Sequence, residues 1–132
     1  MPASLAPVES SPVAPQSGLL LQRTEATQQW LGSVRPDAYM VQMLSVSSAE
    51  TVYVERFLRE LQLVGLLDDT YSCIANSQGR RFWKIVYGSF ETVELARNFI
   101  GSLPASVLAN SPFVQNIGRL ECDQALQSGF GD

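Results

Sequence analysis

An α+β fold of β-α-β-β-α-β order, with a four-stranded antiparallel sheet and two helices on one face, is predicted by three observations. Two amphipathic helical segments each follow a β-prone run, and two further β-prone runs flank a turn rich in Asn, Ser and Gly. The apolar residues of the two helices also repeat in spacing. With 132 residues, 45% of them hydrophobic, the chain has the material for one folded domain around one modest core.

Taken in chain order, residues 1–18 carry Pro2, Pro7, Pro12 and Pro15 among Ser and Ala, with Glu9 the only charged side chain. Such a stretch has too little apolar surface to order itself and is expected to be a linker. A helix is expected from about Leu20 to Leu31, where Leu20, Thr24, Thr27 and Leu31 recur at three- and four-residue spacing and Trp30 widens the apolar side. Pro36 ends this N-terminal helical segment, 19–36. From Tyr39 the period changes to two: Tyr39, Val41 and Met43 alternate with Met40, Gln42 and Leu44. Ser47-Ser48-Ala49-Glu50 has the form of a capping box, and Val54, Phe57, Leu58 and Leu61 form the stripe of the helix that follows.

Tyr71 to Ala75 and Phe82 to Tyr87 are expected to pair antiparallel around Asn76-Ser77-Gln78-Gly79, whose Gly takes the positive φ that hairpin turns demand. A second amphipathic helix carries Val93, Ala96, Phe99, Ile100 and Leu103 and stops at Pro104; Phe113 to Leu120 supplies the last strand. Phe57, Leu58 and Leu61 match Phe99, Ile100 and Leu103 in spacing, so the domain, 37–120, reads as two similar halves. Right-handed crossovers then favour a ferredoxin-like or RNP-like sheet with the first and third strands central, both helices on one face and the other face open. Residues 121–132 form a tail.

Composition excludes several chemistries. Nine Lys plus Arg against thirteen Asp plus Glu give a net charge of −4, which repels a polyphosphate backbone, so nucleic acid is not an expected partner. There is no His, the commonest general base near neutral pH and the commonest metal ligand. The acidic candidates for a wall hydrolase, Asp68-Asp69 and Glu91 with Glu94, have structural explanations as a loop pair and a helix N-terminus. No catalytic residue, metal site or cofactor is expected. Leu19-Leu20-Leu21, the candidate apolar segment, is three residues long and far too short to span a membrane, and the first residues lack the pattern of a secretory signal.

Cys73 and Cys122 lack metal or redox spacing. The expected sheet places Cys73 on one edge strand and Cys122 just after the opposite edge strand, about three strand spacings away. Two free thiols are therefore expected.

Three segments in order carry a family resemblance: Tyr39-Met40-Val41-Gln42-Met43, then Trp83-Lys84-Ile85-Val86-Tyr87-Gly88-Ser89-Phe90, then Ser111-Pro112-Phe113-Val114. Together they resemble the opening strand, the third strand with its Gly-x-Phe turn, and the entry to the last strand of the SPOR family. The resemblance implies a non-catalytic module that binds peptidoglycan glycan strands stripped of their stem peptides, often at division sites. It further implies a periplasmic or cell-envelope location, as the soluble C-terminal part of a membrane-anchored protein behind a flexible linker. The sequence in hand would then be a piece of a longer chain, with no membrane insertion of its own, a monomer, and division or envelope proteins as further partners. In one respect the chain departs from the family: Leu44, Ser45 and Val46 stand where the family's opening strand usually runs on into a small residue and a Phe.

Strand alternation places Gln42 on the open face with Met40 and Leu44, and Phe82, Lys84 and Val86 outward against a core set of Trp83, Ile85 and Tyr87. Phe82 and Phe113, each at the beginning of a strand, are expected to flank Gln42 and Ser45 as aromatic walls of a groove with a polar floor. A pyranose ring offers an apolar face to stack and hydroxyl and N-acetyl groups to bond, and Gln42 both donates and accepts. Lys84, the only lysine, with Arg80 and Arg81 at the hairpin, suits the lactyl carboxylate freed when stem peptides are removed. The alternatives are a solvated tip for Arg80 and Arg81, and packing of Phe82 and Phe113 on the N-terminal helix or tail. A protein-interaction module on the same frame is the rival function, because this frame alone does not select a ligand.

Overall fold

The structure, a computed structural model, describes residues 18–122. Its elements are α1 (Leu19–Ser33), β1 (Tyr39–Ser47), α2 (Thr51–Leu63), β2 (Thr70–Ser77), β3 (Arg80–Phe90), α3 (Val93–Gly101), α4 (Ala105–Leu108) and β4 (Phe113–Asn116). The four strands form one antiparallel sheet in the order β2-β3-β1-β4, the ferredoxin-like arrangement with the first and third strands central. The expected linker, 1–18, lies outside the described residues except for Gly18, and the expected tail contributes only residues 121 and 122 to them.

One face of the sheet holds the main core. Val41, Met43, Ile74, Trp83 and Ile85 meet Val54, Phe57, Leu58 and Leu61 of α2, Ala96 of α3, and Leu103 and Val107 beyond it. The helical stripe of α2 is buried as its spacing predicts, because every third or fourth side chain returns to the same side. Tyr87 stacks on Phe99 of α3 with ring centroids 4.1 Å apart, which fixes that helix over β3. The hairpin turns through Gln78 and Gly79, both at positive φ (55° and 78°), and the flanking Ser77 and Arg80 are paired. Two such residues make the turn whose twist matches that of the strands.

Four expectations are corrected. Ser47 and Glu50 do not form a reciprocal capping box: Glu50 is the cap residue of α2 without a side-chain hydrogen bond, and the Ser47 hydroxyl instead accepts from the Ala49 amide at 3.3 Å. The second helix stops at Gly101, and a separate short α4 follows Pro104. The last strand ends at Asn116; a single helical turn, Ile117–Arg119, takes its place. Finally, the second sheet face is partly covered. Met40, Val86 and Ile117 form a small buried cluster there, packed with Trp30, Leu31 and Val34 at the end of α1 and with Leu120.

That covering explains a fifth correction, the largest, the disulfide between Cys73 and Cys122, with Cα atoms 5.6 Å apart. The strand order is as expected, but the chain does not stay at the β4 edge. Ile117 and Leu120 are apolar and find burial against Met40 and Val86, which carries the chain across the face until Cys122 pairs with Ala75 as an isolated bridge on β2.

The N-terminal helix guards the β2 side. Thr24 Oγ1 lies 2.9 Å from Ser72 Oγ, and the Ser72 amide donates to Thr27 Oγ1 at 2.8 Å. The Arg23 guanidinium donates to the carbonyls of Leu67, Asp68 and Thr70 at 3.0–3.2 Å. Glu55 of α2 accepts from the first two amides of α1, Leu19 and Leu20, at 2.8 and 3.0 Å, supplying the cap and the negative charge that a helix N-terminus favours.

Candidate functional site

The surface left uncovered on the second sheet face is set by a one-residue irregularity in β1. Gln42 pairs with Val86, but Leu44 pairs with Ile85, so Met43 is an extra residue in the ladder. Met43 and Leu44 both turn into the core, at 0% and 6% exposure, and Ser45 emerges on the side of Gln42. The expectation that Leu44 shares the open face with Gln42 is thereby corrected; simple alternation does not survive a bulge. The bulge also places Ser45 opposite Lys84, whose Nζ donates to Ser45 Oγ at 3.0 Å.

The cross-strand register defines the rest. One row runs Tyr71, Val86, Gln42, Phe113 across all four strands, and the next runs Cys73, Lys84, Ser45. Phe113 is 46% exposed beside Gln42. Phe82 lies farther along, opposite Ala75 and Ser47, so the wall on the β3 side of Gln42 is Val86 and not Phe82 as expected. Phe82 instead meets Lys84, whose Nζ stands 5.6 Å from the ring centroid. Arg80 and Arg81 are exposed at the start of β3, and the Arg81 carbonyl accepts from the Ser48 amide at 3.0 Å.

Two clefts meet at Gln42 and Phe113. The first, of about 420 Å³, lies between the end of β1, the first turn of α2 and the loop before β4, and is lined by Ser45, Glu50, Tyr53, Asn110 and Ser111 besides those two. The second, of about 240 Å³, lies on the sheet between β2 and the crossing segment, with Lys84, Gln115, Arg119 and Glu121 on its walls. Tyr53, Asn110 and Arg119 line these clefts and were not singled out by sequence reasoning. Tyr53 had a signal, since it is an aromatic side chain off the buried stripe of α2 and remains 40% exposed. Nothing in the spacing marks Asn110.

The β2 side of the face is closed. Trp30 stacks on Tyr71 with centroids 4.0 Å apart and rings within 4° of parallel. Burial, followed by the nearby negative charge of Asp69, raises the Tyr71 hydroxyl above its usual range, so it stays a neutral phenol. The acidic pairs considered for catalysis lie away from this surface: Asp69 accepts from the Tyr87 hydroxyl at 3.4 Å, and Glu94 sits in the first turn of α3 behind its Thr92 cap.

The family model of the SPOR domain matches residues 36–116, more than half of the chain. The chain belongs to the SPOR domain family. The matched span contains all four strands and both covering helices, and it includes each of the three segments that carried the resemblance. It leaves out α1 and the crossing segment beyond Asn116, the two features that narrow the open face. SPOR domains are peptidoglycan-binding domains of bacterial cell envelope proteins, and cell-wall binding is accordingly the function of the family. Among curated proteins, none matches the chain significantly. No helix among the described residues is long and apolar enough to cross a membrane.

Proposed function

We propose that this SPOR domain binds the glycan strands of peptidoglycan, stripped of stem peptides, along the uncovered strip of its sheet, and that it holds a parent protein at the cell wall without cleaving the ligand. The observation that carries this reading is the strip itself. On a face otherwise covered by α1 and the crossing segment, Gln42, Ser45 and Lys84 remain accessible as hydrogen-bonding groups between the rings of Phe82 and Phe113. Aromatic faces stack on the C–H surface of a pyranose, and an amide, a hydroxyl and an ammonium bond its substituents. The disulfide supports a location outside the cytoplasm, because such bonds persist in oxidising compartments.

Sedimentation with purified peptide-free peptidoglycan tests the proposal. Wild-type protein is expected to co-sediment and release no new reducing ends, whereas Gln42→Ala and Phe113→Ala each weaken binding by roughly ten-fold, the loss of one stacked or bonded group. Equal sedimentation of both variants with the wild type would remove the sheet face as the site.

A protein-interaction role is favoured by one observation on a different surface. Leu63 and Val64 are 82% and 53% exposed at the end of α2 and border an apolar cleft with Phe57, Pro104 and Val107. If division or envelope proteins are the ligand, substitutions there, and not at Gln42, remove binding.

A further inference from the structure

The outer side of α2 departs from the pattern of a solvated helix. Four of the seven large apolar side chains that stand exposed among the described residues lie on it or at its end: Val52 (72%), Tyr53 (40%), Leu63 (82%) and Val64 (53%). They occupy its two ends, and Arg56 and Glu60, both exposed, lie between them. Arg56 and Glu60 are four residues apart on the helix, yet they form no ion pair with each other, and neither is paired elsewhere among the described residues. A basic residue four positions before an acidic one is the weaker of the two orientations of such a pair. Tyr53, Arg56, Glu60 and Leu63 follow one another at intervals of three, four and three residues, the spacing of a seam between two packed helices. At the Leu63–Val64 end, the stripe borders the apolar cleft of about 240 Å³ with Phe57, Pro104 and Val107.

We propose that this stripe is the seam of a two-fold dimer, in which α2 of one chain packs antiparallel on α2 of a second copy. The stripe is its own complement. A two-fold axis passing at the level of Leu58 sets Val52 against Val64 of the second copy, Tyr53 against its Leu63 and Arg56 against its Glu60, and each contact recurs in reverse. Apolar ends meet apolar ends, and the two unpaired charges face opposite charges. A parallel pairing in the same register sets Arg56 against Arg56 and Glu60 against Glu60, so like-charge repulsion selects the antiparallel one. With 13 residues, α2 is about 20 Å long. One helix pair of that length covers less than the roughly 800 Å² per partner of a standard stable interface, so the dimer is weak and forms where the domain is concentrated. Because α2 covers the sheet face opposite the Gln42 strip, two copies joined in this way turn their strips outward. On the glycan-binding reading above, the pair then holds two strands at once and gains avidity. The seam itself does not depend on that reading, and it replaces the expectation of a monomer.

Sedimentation velocity of the full chain tests the proposal. The sedimentation coefficient of the wild type is expected to rise toward that of a dimer as concentration is taken into the millimolar range. Leu63→Asp is expected to weaken self-association by roughly ten-fold or more at an unchanged thermal midpoint, because the side chain it replaces is exposed. Charge reversal then reads the register. Arg56→Glu alone places a carboxylate against Glu60 of the copy, and Glu60→Arg alone places a guanidinium against its Arg56, so each variant is expected to self-associate more weakly than the wild type. An equimolar mixture of the two restores both opposite-charge contacts and is expected to associate more strongly than either variant alone. A wild type that stays monomeric throughout would overturn the proposal and leave Leu63 and Val64 to a different protein. So would association that survives Leu63→Asp, or a mixture no stronger than its components. Co-sedimentation with peptide-free peptidoglycan is scored separately: its absence in the wild type removes the glycan reading and leaves the seam, whereas a glycan-binding wild type without self-association removes the seam alone.

Discussion

Phe82, Trp83 and Lys84 are consecutive in sequence and divide between two environments. Trp83 is fully buried under α2, whereas Phe82 and Lys84 stand on the opposite face and touch each other. Truncating Trp83 to Ala leaves a cavity among close-packed neighbours, and a loss of about 3–5 kcal/mol in chemical denaturation is expected. Phe113→Ala removes a half-exposed ring that carries little of the core, so its thermal midpoint should stay within a few degrees of wild type. If the Phe113 variant unfolds like the Trp83 variant, the ring supports the fold and its use in binding loses its basis. This division was legible from parity alone, because β3 runs without a bulge against β2. The outward placement of Lys84 was legible for the same reason, and that of Gln42 because it precedes the bulge in β1.

At the scale of elements, what periodicity could see was local: the α2 stripe, the hairpin turn, the strand order that two crossovers allow. What escaped it depends on partners distant in sequence. The bulge at Met43 turns both Met43 and Leu44 into the core, and no alternation rule announces it. The cap of α1 comes from Glu55, 36 residues beyond Leu19, so an inspection of the residues around Gly18 finds no capping side chain. Substituting Glu55 by Ala leaves two amides without their acceptor and removes a favourable charge at the helix start. A loss of about 1 kcal/mol in denaturant stability is expected, with amide exchange accelerating first in α1. Unchanged exchange in α1 would mean that the Arg23 and Thr27 contacts with the β2 side hold the helix unaided.

For the molecule as a whole, α1 and the crossing segment act on the same face from opposite ends of the chain, and both lie outside the span shared with the family model. They leave the sheet partly roofed, with the disulfide pinning the roof to β2. The expectation of two free thiols failed because it fixed Cys122 at the edge where β4 ends, while Ile117 and Leu120 draw the chain inward. A bridge across a sequence separation of 49 residues restricts the unfolded chain strongly: loop-closure entropy gives an upper figure of about 4 kcal/mol. Replacing both cysteines by Ser is therefore expected to cost about 2–4 kcal/mol and to lower the thermal midpoint by roughly 10–20 °C, and reductant should bring the wild type to the same point. Non-reducing mass spectrometry checks the bond itself, which should appear as one intramolecular bridge between the two cysteine peptides. The double Ser variant should also bind peptide-free peptidoglycan less well than the wild type, since Arg119 and Glu121 line the second cleft on the segment that crosses the sheet. Were reductant to leave both the midpoint and the affinity unchanged, the packing of Ile117 and Leu120 on Met40 and Val86 would be sufficient to hold the crossing, with the bridge adding nothing to it.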